Sequence, residues 1–227
     1  MNSNWIFIVW VLGASILGFA ISAIFSGWLQ MSRRKFLVPY ITLTAAFLLW
    51  FYFENQVDLL ALLKENLIWG LVIGGGASLF LVRNVRSQPI SRQTKGGALV
   101  FDLAWLGLAY GFIDALFLNV MPVLAVLMSF SQGEFGATWL GKFGIGALAL
   151  FASLLVTLTY HLGYIEFRSR RVGLVLVGNA IITMAYLVSG NPLGAILSHT
   201  LMHVAATIQG PETTIQLPPH NHIVAEI

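Results

Sequence analysis

Charged side chains are scarce in this sequence. Only 9% of its 227 residues are Asp, Glu, Lys or Arg, whereas soluble domains carry about 25%. The chain is 58% hydrophobic, its mean hydropathy is +0.83, and its apolar residues come in runs long enough to cross a bilayer. We therefore predict an all-α, polytopic membrane helix bundle.

Cysteine is absent. The chain therefore has no disulfide, no thiol nucleophile and no thiolate metal ligand, which restricts the candidate chemistry to other side chains. Basic residues are also missing ahead of the first apolar run, which favours a retained first span over a cleaved signal peptide. The net charge of +3 is explained by membrane topology, and we predict no nucleic-acid partner.

The apolar runs predict seven membrane spans in a single domain, 1–227. The spans lie at about 5–29, 36–53, 67–82, 97 or 102 to 122 or beyond, 143–164, 172–187 and 193–210. The first three occupy 1–96, spans four to seven with the candidate site occupy 97–210, and a polar tail occupies 211–227.

The link 54–65 reads as a short amphipathic helix in the interface. The run Gly74-Gly75-Gly76 and the spacing of Gly70 and Gly74 predict close helix packing rather than a phosphate loop.

Basic residues alternate between the links. The first, third and fifth links carry Arg33, Arg34 and Lys35, then Arg83, Arg86, Arg92 and Lys95, then Arg168, Arg170 and Arg171. The second and fourth carry only Lys64 and Lys142, and the sixth carries none. Because positive residues stay inside, we predict an outside N-terminus and a cytoplasmic C-terminus, in the plasma (inner) membrane of a bacterium.

Four ionisable residues fall well inside the predicted spans: Asp114, His161, His199 and His203. His199 and His203 are four residues apart, so they share one face of a helix. With a rise of about 1.5 Å per residue, all four can lie at one depth in the cytoplasmic half of the membrane. Asn179 falls at the same depth. Ionisable groups there are rare without a role, so we predict a functional site.

Three imidazoles and a carboxylate allow two chemical schemes. In the first, His161, His199, His203 and Asp114 bind a metal such as zinc, whose bound water becomes a nucleophile. In the second, Asp114 and His161 act as general bases, and His199 and His203 donate to an oxyanion. Haem ligation, a proton or ion path, and helix-to-helix hydrogen bonds remain open as further roles.

Two groups of polar residues lie near predicted span ends. Tyr160, Tyr164 and Glu166 follow the expected interface at the end of span five, so we expect them to anchor that helix. His220 and His222 lie in the proline-bearing tail. We expect them to matter only if the tail folds back under the bundle and covers the site.

The order of the buried residues resembles the CPBP family of intramembrane proteases, which are related to the CAAX prenyl endopeptidases. That family carries Glu-Glu-x-x-x-Arg on one helix, Phe-x-x-x-His on the next, and His-x-x-x-Asn or His-x-x-x-Asp near the end. Asp114 stands where the glutamates would, His161 stands for the second motif, and His199 with His203 stands for the third. The likeness covers about 99–210 and implies a helical bundle that hydrolyses a peptide bond within the membrane.

This sequence differs from the family motifs at several positions. It has no glutamate pair and no arginine after Asp114, Thr157 replaces the phenylalanine, and His203 replaces the Asn or Asp. The differences leave open a changed reaction, a metal-loaded variant or an inactive relative. Ser198-His199-x-x-x-His203 also looks like the progestin and adiponectin receptor and haemolysin III group. That group needs a third histidine on an early span, and no histidine precedes His161.

These observations predict an intramembrane, protease-like hydrolase that activates water with Asp114, His161, His199 and His203. Its partners would be the lipid bilayer and a membrane peptide or protein substrate, and zinc is the cofactor considered. The alternatives are a non-enzymatic transporter or scaffold, and a metal- or haem-binding membrane protein that uses the same histidines.

Overall fold

The long apolar runs form helices. The computed structural model describes residues 5–91, 94–130 and 137–220, and the regular structure in these ranges is helical, without strands. The predicted all-α fold is confirmed. Arg92 and His222 lie outside the described residues.

The helices follow one another along the chain with short links. The first half contains α1 (Ile6–Ile21, continued by a π-helical segment Ser22–Trp28), α2 (Arg33–Glu54), α3 (Leu59–Lys64) and α4 (Leu67–Arg86). The second half contains α5 (Gly97–Phe130, which includes two π-helical segments), α6 (Trp139–Leu162), α7 (Arg171–Ser189) and α8 (Leu193–Gln209). A short helix does form in the link after α2, and the Asp58 side chain caps it by accepting the Ala61 N–H.

Six helices in the described ranges are long and apolar enough to cross a membrane: α1, α2, α4, α5, α6 and α7. This pattern makes the chain an integral, multi-pass membrane protein. The seventh predicted span forms α8, whose 17 residues rise only about 26 Å, slightly less than a hydrocarbon core of about 30 Å. The structure therefore provides six helices of full spanning length and a shorter seventh one.

Helix α5 is the central helix of the bundle. It is 34 residues long, and 78% of its most apolar 18-residue stretch is buried. The corresponding stretches of the other five candidate spans are only 28–44% buried. Two π-helical segments, Leu103–Ala109 and Ala115–Val120, flank the α-helical turn Tyr110–Asp114. A π-helical segment turns side chains away from the ordinary α-helical positions and often occurs at functional sites. Asp114 lies at the junction with the second segment.

Helix α8 packs closely against α4 and also contacts α5 and α7. A Cβ atom on Gly74 would lie 3.0 Å from the Cα atom of Gly194, and one on Gly70 would lie 2.8 Å from Asn191 Oδ1. Gly70 and Gly74 therefore have the predicted packing role. Gly75 and Gly76 face open space, with nothing within 4 Å of their added Cβ atoms.

The tail after α8 returns to one end of the bundle. Arg33 donates to the carbonyl groups of Leu217 and Pro219, Gln88 accepts the Ile215 N–H at 3.0 Å, and Glu166 accepts the His220 N–H at 2.7 Å. The first, third and fifth links therefore meet at this end, which we call the basic end.

At the opposite end of the bundle, the link between α7 and α8 contacts α3. The Asn191 side chain there donates to the Leu63 carbonyl oxygen of α3 at 3.0 Å. The second and sixth links therefore meet at this opposite end.

Candidate functional site

Asp114 and the two histidines of α8 converge in the interior. The Asp114 Oδ2 atom lies 3.8 Å from His199 Nε2 and 3.6 Å from His203 Nε2. All three residues are buried, with exposed fractions of 4% or less. Gly111 permits this contact, because a Cβ atom at that position would lie 2.9 Å from the Cβ atom of His203 and 2.8 Å from the Cα atom of Thr200. One carboxylate oxygen therefore faces two imidazoles.

This group could hold a metal ion. One ligand atom from each of Asp114, His199 and His203 can be chosen so that all lie within 4.8 Å of one another. A tetrahedral ion with bonds of about 2.1 Å places its ligands about 3.4 Å apart, close to the two distances from Asp114. Two imidazoles and one carboxylate form a ligand set found in catalytic zinc sites, which leave a fourth position open for water or substrate.

His161 lies apart from that group but lines the same cavity as its three members. Its Nδ1 atom is 2.8 Å from the Thr157 carbonyl oxygen. Because a carbonyl can only accept, Nδ1 carries the proton and Nε2 is left as the acceptor. The structure thus brings Asp114, His199 and His203 together and places His161 on the wall nearby.

Tyr40 of α2 donates its hydroxyl to Asp114 Oδ1. This contact occupies the oxygen that does not face the histidines and thereby fixes the rotation of the carboxylate. The ring of Tyr40 stacks on that of Tyr160, at 5.2 Å between centroids. The Tyr160 hydroxyl in turn lies 2.8 Å from that of Tyr110 and accepts from Tyr164 at 2.5 Å.

The expectation that Tyr160 and Tyr164 anchor α6 in the interface is wrong. Both are fully buried, because their hydroxyl groups are hydrogen-bonded to one another inside the bundle. Glu166, three residues beyond the turn that ends α6, instead holds the tail at the basic end. Aromatic residues at a predicted span end can therefore belong to the core when their polar atoms find partners there.

A second polar cluster contacts the Nδ1 side of the His199 ring. His199 Nδ1 lies 2.8 Å from Asn119 Oδ1, and the Asn119 amide donates to Asn179 Oδ1 at 2.8 Å and to Thr183 at 2.9 Å. Ser153 of α6 lies next in this cluster, 3.0 Å from Asn179 Nδ2. The sequence analysis missed Asn119, Ser153 and Thr183. Asn119 could have been found, since it is an amide in an apolar run next to Asp114.

The site opens into a cavity of about 360 Å³. The cavity reaches from Asp114 and the histidines to the side chains between α4 and α7, among them Phe80, Leu174 and Val177. These three side chains are also 57–63% exposed on the outside of the bundle. At the basic end the wall includes Ile215, Gln216 and Pro218 of the tail. The cavity thus has apolar side chains on its lateral side and the tail at its end.

The tail covers the cavity without bringing a histidine to the cluster. His220 Nε2 donates to the Thr214 carbonyl oxygen at 2.7 Å, and its Nδ1 lies 3.5 Å from Glu166 Oε1. Burial alone raises the pKa of Glu166, but the hydrogen bonds and charge of His220 together outweigh it, so the pKa lies below its ordinary value of 4.5. His220 therefore helps to hold the tail against the basic end of the bundle.

No family model matches this chain, and neither a curated protein nor a solved structure matches it. The resemblance to the CPBP family stays a prediction that rests on the residues quoted for it.

Proposed function

We propose that this protein is a metal-dependent intramembrane hydrolase of the protease-like kind. The observation that carries the proposal is the position of Asp114 Oδ2 beside His199 Nε2 and His203 Nε2, at the wall of a cavity inside a membrane-type bundle. Buried carboxylate and imidazole groups are expensive at membrane depth, and they are tolerated there mainly for function.

Asp114, His199 and His203 would hold the metal ion, and zinc suits their nitrogen and oxygen atoms. Such an ion supplies a water molecule that loses its proton near neutral pH. In hydrolysis, the water oxygen bonds to the acyl carbon, the bond to the leaving group breaks, and the leaving group takes up a proton. His161 Nε2 is an acceptor on the cavity wall, so it can take the proton of the attacking water and return it to the leaving group.

The cavity favours a substrate that comes from the bilayer. Phe80, Leu174 and Val177 line the cavity and are exposed on the outer surface between α4 and α7, where lipid would surround the protein. A volume of about 360 Å³ is that of a small-molecule site, so only the segment around the scissile bond would enter. The proposed substrate is a membrane peptide or protein, as the CPBP resemblance implies.

The proposed topology has seven spans, with α8 as the seventh. The basic end would face the cytoplasm of the plasma membrane and the N-terminus would face outside, because Arg and Lys residues concentrate in the links at that end. The chain has no cysteine, so a single introduced cysteine is the only thiol of this protein that a reagent can label. In intact cells, an impermeant thiol reagent should label Glu65→Cys and should miss Ser169→Cys until the membrane is opened. The reverse pattern would overturn the orientation.

Metal analysis combined with a hydrolysis assay tests the function. Full-length protein in lipid nanodiscs would be incubated with zinc, washed, and assayed for bound metal and for cleavage of quenched fluorescent single-span peptides. We expect about one zinc ion per chain, with both zinc binding and cleavage lost in His199→Ala, His203→Ala and Asp114→Ala. The loss in rate should reach about 100-fold or more.

Ser198→Ala is the matched control, because its buried hydroxyl donates to the Gly194 and Ala195 carbonyl groups within α8. It should keep both properties. Folded protein that binds no zinc would overturn the metal site. Zinc binding without cleavage of peptide probes or of a fluorogenic acyl ester would overturn the hydrolase and favour a metal-binding membrane protein.

A further inference from the structure

A chain of buried hydrogen bonds connects His199 to the backbone of α5. Ser153 Oγ donates to the Leu118 carbonyl oxygen at 2.7 Å, and Asn179 Nδ2 donates to Ser153 Oγ at 3.0 Å. Asn119 Nδ2 donates to Asn179 Oδ1, and Asn119 Oδ1 faces His199 Nδ1, both at 2.8 Å. Each side chain in this relay is at most 4% exposed, so water does not compete for these contacts.

The fixed end of the relay decides its direction. Ser153 Oγ lies 2.7 Å from the Leu118 carbonyl oxygen and 2.8 Å from the Thr183 hydroxyl. Because the carbonyl can only accept, we assign the single hydroxyl proton of Ser153 to it. Ser153 must then accept from Asn179, which assigns that contact to the NH₂ group and leaves Asn179 Oδ1 facing Asn119. Asn119 in turn presents its NH₂ group to Asn179 and its oxygen to His199. The amide orientations, which shape alone does not distinguish, are thus set by the backbone carbonyl.

Thr183 supports the same direction. It accepts from Asn119 Nδ2 at 2.9 Å and donates to the backbone oxygen of Asn179, also at 2.9 Å. With its one hydroxyl proton on the Asn179 carbonyl oxygen, Thr183 has to accept from Asn119. This places the NH₂ group of Asn119 on that side and turns its oxygen to the imidazole. His199 Nδ1 must therefore be the donor.

We propose that Asn119 is a positioning residue that holds His199 as the Nδ1–H tautomer, so that the Nε2 lone pair faces Asp114 as a metal ligand. The inference rests on the proposed function for the role of that lone pair, but the tautomer is a property of the protein without metal. Metal-binding histidines commonly donate their other ring N–H to a fixed acceptor, which orients the ring. Here the acceptor is an amide rather than a carboxylate.

The relay has a consequence for the space between the two helices. With the proton held on Nδ1, two acceptors face one another, His199 Nε2 and Asp114 Oδ2, at 3.8 Å. No proton of His199 can lie between them, so a cation in that space stabilises the arrangement. His203 differs, because its buried Nδ1 has no hydrogen-bond partner among the described residues, and it provides an internal comparison.

Nitrogen NMR of protein labelled with ¹⁵N-histidine reads the tautomer directly, because protonated and unprotonated ring nitrogens resonate far apart. In full-length metal-free protein in nanodiscs, with the signals assigned by their loss in His199→Gln, we expect His199 in the Nδ1–H form. Asn119→Leu removes the acceptor and should shift His199 toward the Nε2–H form, which can donate to Asp114. The double variant Ser153→Ala with Thr183→Val removes both hydroxyl groups that orient the two amides, and it should shift the tautomer in the same direction.

Two variants separate positioning from packing. Asn119→Asp keeps an acceptor at the imidazole and should restore the Nδ1–H form. Ser198→Ala removes a hydroxyl that bonds to carbonyl groups of α8 beside His199, and it should leave the tautomer unchanged. In a zinc titration, Asn119→Leu should bind about 10- to 100-fold more weakly, as expected for loss of a residue that orients a ligand.

An Nε2–H tautomer in the wild-type protein would overturn the proposal, as would an unchanged Nδ1–H tautomer in both Asn119→Leu and the double variant Ser153→Ala with Thr183→Val. If Asn119→Leu does not fold, the double variant decides. Failure of the proposed function is distinguishable, because a wild-type protein that binds no zinc could still show the expected tautomer and its response to these variants.

Discussion

At the scale of single residues, the two oxygens of Asp114 have different partners. Oδ1 accepts from the Tyr40 hydroxyl, whereas Oδ2 faces the two imidazoles of α8. A carboxylate that can rotate freely presents its oxygens to a metal with variable geometry, and a hydrogen bond to one of them restricts that motion. Tyr40 and Asn119 therefore have parallel tasks, since each orients one member of the candidate ligand set.

We expect Tyr40→Phe to weaken zinc binding about 10-fold, because it removes the hydrogen bond that orients the Asp114 carboxylate. The aromatic ring would keep its stacking on Phe36 and Tyr160, so the bundle should stay folded. A zinc titration of the purified variant measures the effect. Tyr164→Phe is the control, because its hydroxyl donates only to Tyr160. Equal weakening in both variants would contradict a specific role for Tyr40.

The site could be predicted from the sequence only as far as helix spacing and depth allow. The spacing of His199 and His203 places them on one face, and counting residues brings Asp114 to their depth. Helix rotation is set by packing, so the same counting placed His161 with the others, although it is not part of the group whose ligand atoms lie within 4.8 Å of one another. Tyr40 carries no sequence signal, since its role depends on how α2 faces α5.

At the scale of helices, apolar length predicted the membrane helices and small residues predicted one helix contact. Counting hydrophobic residues cannot tell whether α8, at 17 residues, spans on its own or is surrounded by other helices. The π-helical segments of α5 were also beyond prediction, because they depend on backbone hydrogen bonding rather than on residue type. The contact of α4 with α8 was predictable because only glycine allows such an approach.

The glycines of α4 provide a matched pair of variants. Gly74→Ala places a methyl group 3.0 Å from the Gly194 Cα atom and 3.2 Å from the Leu193 carbonyl oxygen. Both are backbone atoms that must move, so we expect a loss of about 1–3 kcal/mol in the free energy of unfolding. Gly75→Ala has open space around it and should be neutral or slightly stabilising, because alanine favours the helix by about 1 kcal/mol. Unfolding in mixed micelles measures both, and equal stabilities would contradict the packing.

At the scale of the whole molecule, the tail closes the cavity at the basic end. Ile215, Gln216 and Pro218 form part of the cavity wall, and the tail is held by the carboxylate of Glu166 and by Arg33. The open side of the cavity therefore faces α4 and α7 rather than the water at that end. This arrangement suits a hydrolase whose substrate arrives through the bilayer, because the tail limits the entry of soluble molecules.

The attachment of the tail should weaken in acid. The pKa of Glu166 lies below its ordinary value of 4.5 because the hydrogen bonds and charge of His220 outweigh the opposing effect of burial. A lowered pKa in the folded state stabilises the attachment above the pKa of the free side chain, and this contribution is lost as pH falls through the lowered value. We therefore expect the tail to stay attached at about pH 5–8, where a free Glu side chain (pKa about 4.3) is ionised. Release should occur only as the pH falls below the pKa of the free side chain.

An environment-sensitive dye on Glu212→Cys reports this release, since that position is exposed and the chain has no other cysteine. The same substitution removes a carboxylate that interacts with Arg33, which leaves Glu166, His220 and Arg33 as the ionisable groups at the attachment of the described tail. Adding Glu166→Gln keeps an oxygen that can accept the His220 N–H but removes the group that titrates. The acid transition should then disappear, and a transition that persists unchanged in this variant would show that another group releases the tail.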